Sequence, residues 1–158
     1  MRRIVSGQGG IQLVTALSAV ATWSARSGAG VADAENYLVI YDLFGPPERL
    51  DRFVAVLRRL ADRLAPWTRV VHLTPEDMRA LAGTLRGRGA RVAVRRIREL
   101  VGTGAVDEIF LIRDWQLGNQ LLLNAYRDAR KVCYGDGIGL YFTERPGPGT
   151  ATGRVAAA

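Results

Sequence analysis

The chain has 158 residues, 48% of them apolar, which suits one globular domain with a real hydrophobic core and excludes a disordered composition. A single cysteine, Cys133, excludes an internal disulfide, and no apolar run approaches the roughly 18 residues of a membrane span. The net charge is +7, and all the basic residues except Lys131 are arginine. Such a surplus suits either a solvated helical face or an anionic partner such as a phosphate, sialic acid, a membrane surface or nucleic acid.

The first predicted element is a strand at 3–6, followed by a helix over 9–26 in which Leu13, Leu17, Val20 and Trp23 or Ser24 repeat at helical spacing. Residues 11–23 follow Met1-Arg2-Arg3 and imitate a signal peptide, but Gln12, Thr15 and Ser18 fit a helix after a first strand better. A nearly continuous apolar strand is expected at 37–43, as for a strand buried on both faces. Residues 46–65 read as an amphipathic helix with proline at its start and Leu50, Phe53, Val54, Leu57, Leu60 and Leu64 inward. A third strand follows at 68–73. Thr74, Pro75 and Asp77 then supply an N-cap, a first-turn proline and a third-position acid for a helix over 74–87. A break at 87–89 separates it from a second helix that runs on to Val101. A strand at 107–113, a helix over 118–130 and a strand at 131–135 complete the pattern.

Strands that alternate with helices imply a Rossmann-like α/β domain, with a parallel sheet of about five strands and helices on both faces. The domain is expected to span 1–144. Residues 145–158, "RPGPGTATGRVAAA", read as a Gly/Pro/Ala-rich tail without a packed element.

In such sheets ligands bind beyond the carboxyl ends of the strands. Three stretches fall there. The first is Ser6-Gly7-Gln8-Gly9-Gly10, with Gln12 just inside the helix. It lacks the full G-x-G-x-x-G spacing and the lysine of a P-loop. It reads either as a tight turn or as a backbone surface against a sugar, with Gln8 or Gln12 as donors. The second is Arg113-Asp114-Trp115-Gln116, where Trp115 offers an apolar ring beside polar groups. The third is Gly135-Asp136-Gly137, one carboxylate framed by glycines, which reads as an Asx-type turn or as an exposed acid with open access. His72 is the only histidine, so neither a metal site nor a Ser-His-Asp triad has support. The arginine cluster in "LRGRGARVAVRRIREL", 85–100, contains no aromatic residue, which argues against stacking on nucleic-acid bases.

"YGDGIGLYF" resembles the (Asp/Glu)-(Asp/Glu)-Gly element of bacterial sialyltransferases and polysialyltransferases, and "IVSGQGGIQLVTALSA" is similar to the opening strand, polar turn and helix of the same group. The resemblance covers about 3–142, with specific motifs only at its two ends. It implies the N-terminal, acceptor-side half of a GT-B glycosyltransferase, with Asp136 as general base for inverting transfer from a CMP-sugar. It further implies no metal or other cofactor, an acceptor glycan held near Arg113, Asp114 and Trp115, and a C-terminal donor-binding domain or subunit. The expected setting is polysaccharide synthesis in the bacterial cytoplasm or peripherally at the inner face of the membrane. Two departures stand out: the first acid of the pair is Gly135 here, and the chain contains no His-Pro motif of the donor-binding half. The alternative reading is a non-catalytic Rossmann-like module that binds a nucleotide at the Gly7 turn or a polyanion on the arginine helix.

Overall fold

In a computed structural model the described residues are 1–28, 34–41, 47–83, 89–114 and 116–135. The strands are β1 (Arg2–Gly7), β2 (Glu35–Tyr41), β3 (Arg69–Leu73), β4 (Glu108–Leu111) and β5 (Arg130–Cys133). The helices are α1 (Gly10–Ser27), α2 (Pro47–Leu64), α3 (Pro75–Ala82), α4 (Ala90–Val101) and α5 (Leu117–Ala125). The five strands form one parallel sheet in the order β3-β2-β1-β4-β5. This is the Rossmann-like three-layer α/β fold that the alternating pattern predicts.

Strand β1 is central. Ile4 lies opposite Tyr37 of β2 and Ile109 of β4. The three inner strands are buried on both faces apart from Arg2 and Glu35 at their starts, which explains their continuous apolar runs. One face packs on α1 and α2, through Val5, Leu38, Ile40 and Phe110 against Leu13, Ala16, Val20, Leu57 and Ala61. The other face packs on α3, α4 and α5, through Ile4, Val39, Leu73 and Leu111 against Met78, Ile97 and Leu121. The α3 start is a capping box: Thr74 Oγ1 accepts from the Asp77 N–H at 3.0 Å, and the Thr74 N–H donates to the Asp77 carboxylate at 3.2 Å.

Several boundaries differ from the sequence expectation. Helix α5 ends at Ala125 and not near residue 130. Tyr126 leaves the helix with φ −129° and ψ 59°, buries its ring, and donates its hydroxyl to the Thr103 carbonyl at 2.9 Å. Helix α3 ends at Ala82 before Gly83. Strand β4 ends at Leu111, because the carbonyl of Arg113 is taken by the Asn119 side chain and not by a sheet partner. The inward stripe of α2 stops at Ala61, so Leu64 is 41% exposed and not inward. The expected tail, 145–158, lies outside the described residues.

The amino edge of the sheet is held by charge. Arg3 Nε donates to Glu108 Oε2 at 2.8 Å between side chains only 0% and 8% exposed. The other carboxylate oxygen of Glu108 accepts from the Trp23 indole N–H at 2.7 Å. The Arg130 guanidinium lies 5.7 Å from the Trp23 ring centre. Breaking a buried pair strands one charge away from water, at a cost of about 3–5 kcal/mol, whereas replacing both partners with apolar residues is far milder. Glu108→Ala should therefore lower the urea midpoint by that equivalent, and the double variant Arg3→Met with Glu108→Leu should recover most of the loss. A single variant as stable as the parent would show that the pair does not clamp the edge.

Candidate functional site

The order of the strands reverses at β1. The crossover from β1 leaves toward the α1–α2 layer, and the crossover from β4 leaves toward the α3–α5 layer. The two loops therefore leave toward opposite layers above the β1/β4 boundary, the switch point at which ligands usually bind in doubly wound sheets, and we refer to this place as the crevice. Gly7 ends β1 at this edge, and the chain turns through Gln8 and Gly9 into α1. Ile112 and Arg113 leave β4 beside it.

The glycines of the β1–α1 turn are not forced by geometry. None of Gly7, Gly9 and Gly10 has a positive φ. An added Cβ at Gly9 would meet nothing within 4 Å, and one at Gly7 would meet only the Tyr134 hydroxyl at 4.0 Å. Their effect is to leave backbone surface open at the crevice. Gly118 is the opposite case: an added Cβ there would lie 2.6 Å from the Tyr41 ring, so glycine is what lets α5 pack on that tyrosine.

The crevice wall is a neutral hydrogen-bond network. Gln12 Oε1 accepts from the Gln8 backbone N–H at 2.7 Å. Gln116 Nε2 donates to Gln8 Oε1 at 2.9 Å, and Gln116 Oε1 accepts from the Tyr41 hydroxyl at 2.7 Å. Behind these amides, Ser6 Oγ donates to Asn119 Oδ1 at 2.8 Å, while Asn119 Nδ2 donates to the Arg113 carbonyl. The Tyr134 hydroxyl reaches across from the end of β5 and donates to the Ser6 carbonyl at 2.6 Å. Burial, then the neighbouring Tyr134, holds the Tyr41 hydroxyl well above the ordinary phenol range, so it remains a donor at every physiological pH.

The sequence-derived site residues thus separate into groups. Gly7, Gln8, Gly9, Gly10 and Gln12 stand together at the crevice, and Arg113 enters it through its carbonyl. Asp114 is exposed and lines a polar groove of about 500 Å³ with Gln120, Arg127 and Lys131. Its charge also bears on Cys133, whose thiol is pushed up first by burial and then by Asp114. Gly135 is buried just after β5 with φ 68°, a left-handed conformation that favours glycine. Trp115, Asp136 and Gly137 lie outside the described residues.

Sequence reasoning missed Tyr41, Asn119 and Tyr134, and treated Ser6 and Gln116 only as members of the loop stretches. Asn119 carried a signal: in "LGNQLLLNA" it is a polar residue on the inward side of an apolar helix, where an amide must find partners. Tyr41 and Tyr134 carried none, since aromatics at strand ends read equally well as core.

Among the described residues no group of three or more His, Cys, Asp or Glu side chains could hold a metal ion. Among the same residues no helix is long and apolar enough to cross a membrane. No family model, no curated protein and no solved structure matches the chain.

Asn119 is fully buried and joins β1, the β4 loop and α5. Asn119→Ala leaves the Arg113 carbonyl without that partner, at a cost of about 1–3 kcal/mol, while the Ser6 hydroxyl keeps the Phe110 carbonyl at 3.3 Å as an acceptor. Chemical denaturation should show a loss in that range, and amide exchange should quicken at Ser6 and Arg113 before it does at the amino edge. Exchange that quickens uniformly would mean that Asn119 supports the core at large and not the crevice.

Proposed function

We propose that this chain is the acceptor-side domain of a sialyltransferase-like, inverting glycosyltransferase, with the crevice above β1 and β4 receiving the acceptor sugar. The observation that carries the reading is the cluster of half-buried amides formed by Gln8, Gln12 and Gln116 at the switch point, backed by the buried Tyr41 hydroxyl. Neutral donors and acceptors with two-sided capacity suit sugar hydroxyls, which both donate and accept. A phosphate would instead want free backbone N–H groups or cations. The Gln8 N–H, which opens the turn after β1, is already taken by Gln12, while the first turn of α1 has no side-chain cap, which keeps the nucleotide-module reading as the alternative. The open backbone at Gly9 adds a surface on which a ring can rest without meeting a side chain.

The catalytic assignment rests on the resemblance, and on the chain path that leads into Asp136. Tyr134 is tied to the carboxyl end of β1, and Gly135 turns the chain with a left-handed φ one residue before the acid. In the proposed reaction the acceptor oxygen attacks the anomeric carbon of a CMP-sugar. The new glycosidic bond forms as the bond to the phosphate oxygen breaks, and CMP leaves with that electron pair. Asp136 takes the acceptor proton late in the transition state. Its negative charge also favours the oxocarbenium-like carbon. The donor is assigned to a further domain or subunit, as the resemblance implies.

The test uses the complete enzyme with its donor-binding half and a CMP-sugar donor. Asp136→Asn keeps the shape and removes the base, so turnover should fall by about 10²–10⁴-fold while donor affinity stays similar. Gln116→Leu should raise KM for the acceptor more than it lowers kcat. Near-normal transfer by Asp136→Asn would sink the catalytic assignment. Tight nucleotide binding by this chain alone, abolished by bulk at Gly9, would favour the nucleotide-module reading instead.

A further inference from the structure

The outer surface of the α3–α5 layer holds a groove of about 910 Å³ between α4 and the end of α5. Arg91, Arg95 and Arg98 come to it from successive turns of α4, and Arg127 from the turn after α5. Val94 lies half-buried between the arginines, over the fully buried Ala125. Glu99 and Asp128 are the acids among the described residues of the groove's lining, so there four arginines face two carboxylates. Glu99 is shared by Arg95 and Arg96 at 3.9 and 3.7 Å in exposed pairs, which hold weakly. Among the described residues no carboxylate pairs with Arg91 or Arg127. Arg98 is already positioned, since its Nε donates to the Ala125 carbonyl at 2.9 Å and its guanidinium lies 5.7 Å from the Tyr126 ring centre.

The shape and the chemistry narrow the occupant. Helix α4 has 12 residues and is about 18 Å long. The groove follows it from Ala90 to Gly102, so a small anion would fill only a fraction of it. A nucleic-acid strand would gain nothing from Val94, and no aromatic ring lines the groove to stack its bases. A second copy of a chain carrying +7 would approach this basic face against its own charge. We propose that the groove receives an acidic, amphipathic helical segment of a partner protein, with an apolar side chain on Val94 and its carboxylates against Arg91, Arg95, Arg98 and Arg127. This follows the helix-in-groove mode, with arginine–carboxylate pairs that fix orientation and exclude basic segments. The groove runs to Gly102, beside Arg69 at the amino end of β3, so the proposal stands independently of the crevice at the carboxyl edge.

The probe is a labelled synthetic helix of about 14 residues, roughly the length of the groove, with a leucine stripe flanked by glutamates. It is titrated with the full chain at low salt and followed by fluorescence anisotropy. Saturable binding is expected, weakened at least about tenfold by the double variant Arg91→Glu with Arg127→Glu and by added salt. The same peptide with lysines in place of glutamates should not bind. Val94→Glu should weaken binding as well, by placing an acid between the arginines. Both sites are at the groove surface, and thermal melts should overlay the parent; if the glutamate variants misfold, Arg91→Gln with Arg127→Gln carries the test. Equal binding of the acidic and basic peptides would overturn the proposal, as would affinity untouched by the arginine variants. Tighter, arginine-dependent binding of a single-stranded DNA dodecamer or of pyrophosphate would overturn it too. So would self-association in sedimentation that the same variants abolish.

Discussion

The arrangement of this domain depends on one constraint: β1 and β4 are hydrogen-bonded neighbours whose onward connections must go to opposite faces of the sheet. Parallel strands need a crossover, and crossovers of one hand send α1 and α2 to one side and α3, α4 and α5 to the other. Above β1 and β4 the departures diverge, one to the α1–α2 layer and the other to the α3–α5 layer. The crevice is thus a consequence of strand order, and the sequence needs only to choose what lines it.

What lines it contrasts with the other end of the same strand. At the amino end of β1, Arg3 and Glu108 form a buried ion pair with Trp23 as a further donor. At the carboxyl end, Ser6 begins a network of amides and hydroxyls with no charged side-chain partner among the bonds described. The two kinds of contact behave differently when challenged. A buried ion pair cannot give up a partner without stranding a charge. A neutral hydrogen bond contributes only about 0.5–1.5 kcal/mol net and can be exchanged for an equivalent bond to a ligand hydroxyl. The amino edge is therefore held by a contact that resists loss of either partner, while the carboxyl edge is held by neutral bonds that are individually weaker.

Much of this was legible in the residues. Continuous apolar runs such as Tyr37–Tyr41 require a strand covered on both faces, and Thr74-Pro75 with Asp77 can do little else than start a helix. The glycine turn after β1 marked the correct edge. The wall of the crevice was less legible, because its members are scattered over β1, β2, α1, α5 and the end of β5, and none forms a local motif. Tyr41 and Gln116 meet only through the packing of α5 on the sheet, which in turn depends on Gly118 having no side chain. The end of α5 was overextended for a related reason. Helix periodicity continues through Tyr126, but a buried hydroxyl with a carbonyl acceptor at Thr103 outweighs one further helical turn.

Gly135 bears on the departure from the acid pair of the sialyltransferases that the motif resembles. Here it is buried with φ 68°, and a residue with a Cβ held in that region costs about 1–2 kcal/mol. An acid at this position would bear the strain and would also lose solvation next to Tyr134. Glycine removes both penalties and leaves the single carboxylate that follows. The bond from Tyr134 to the Ser6 carbonyl ties the residue before that turn to β1.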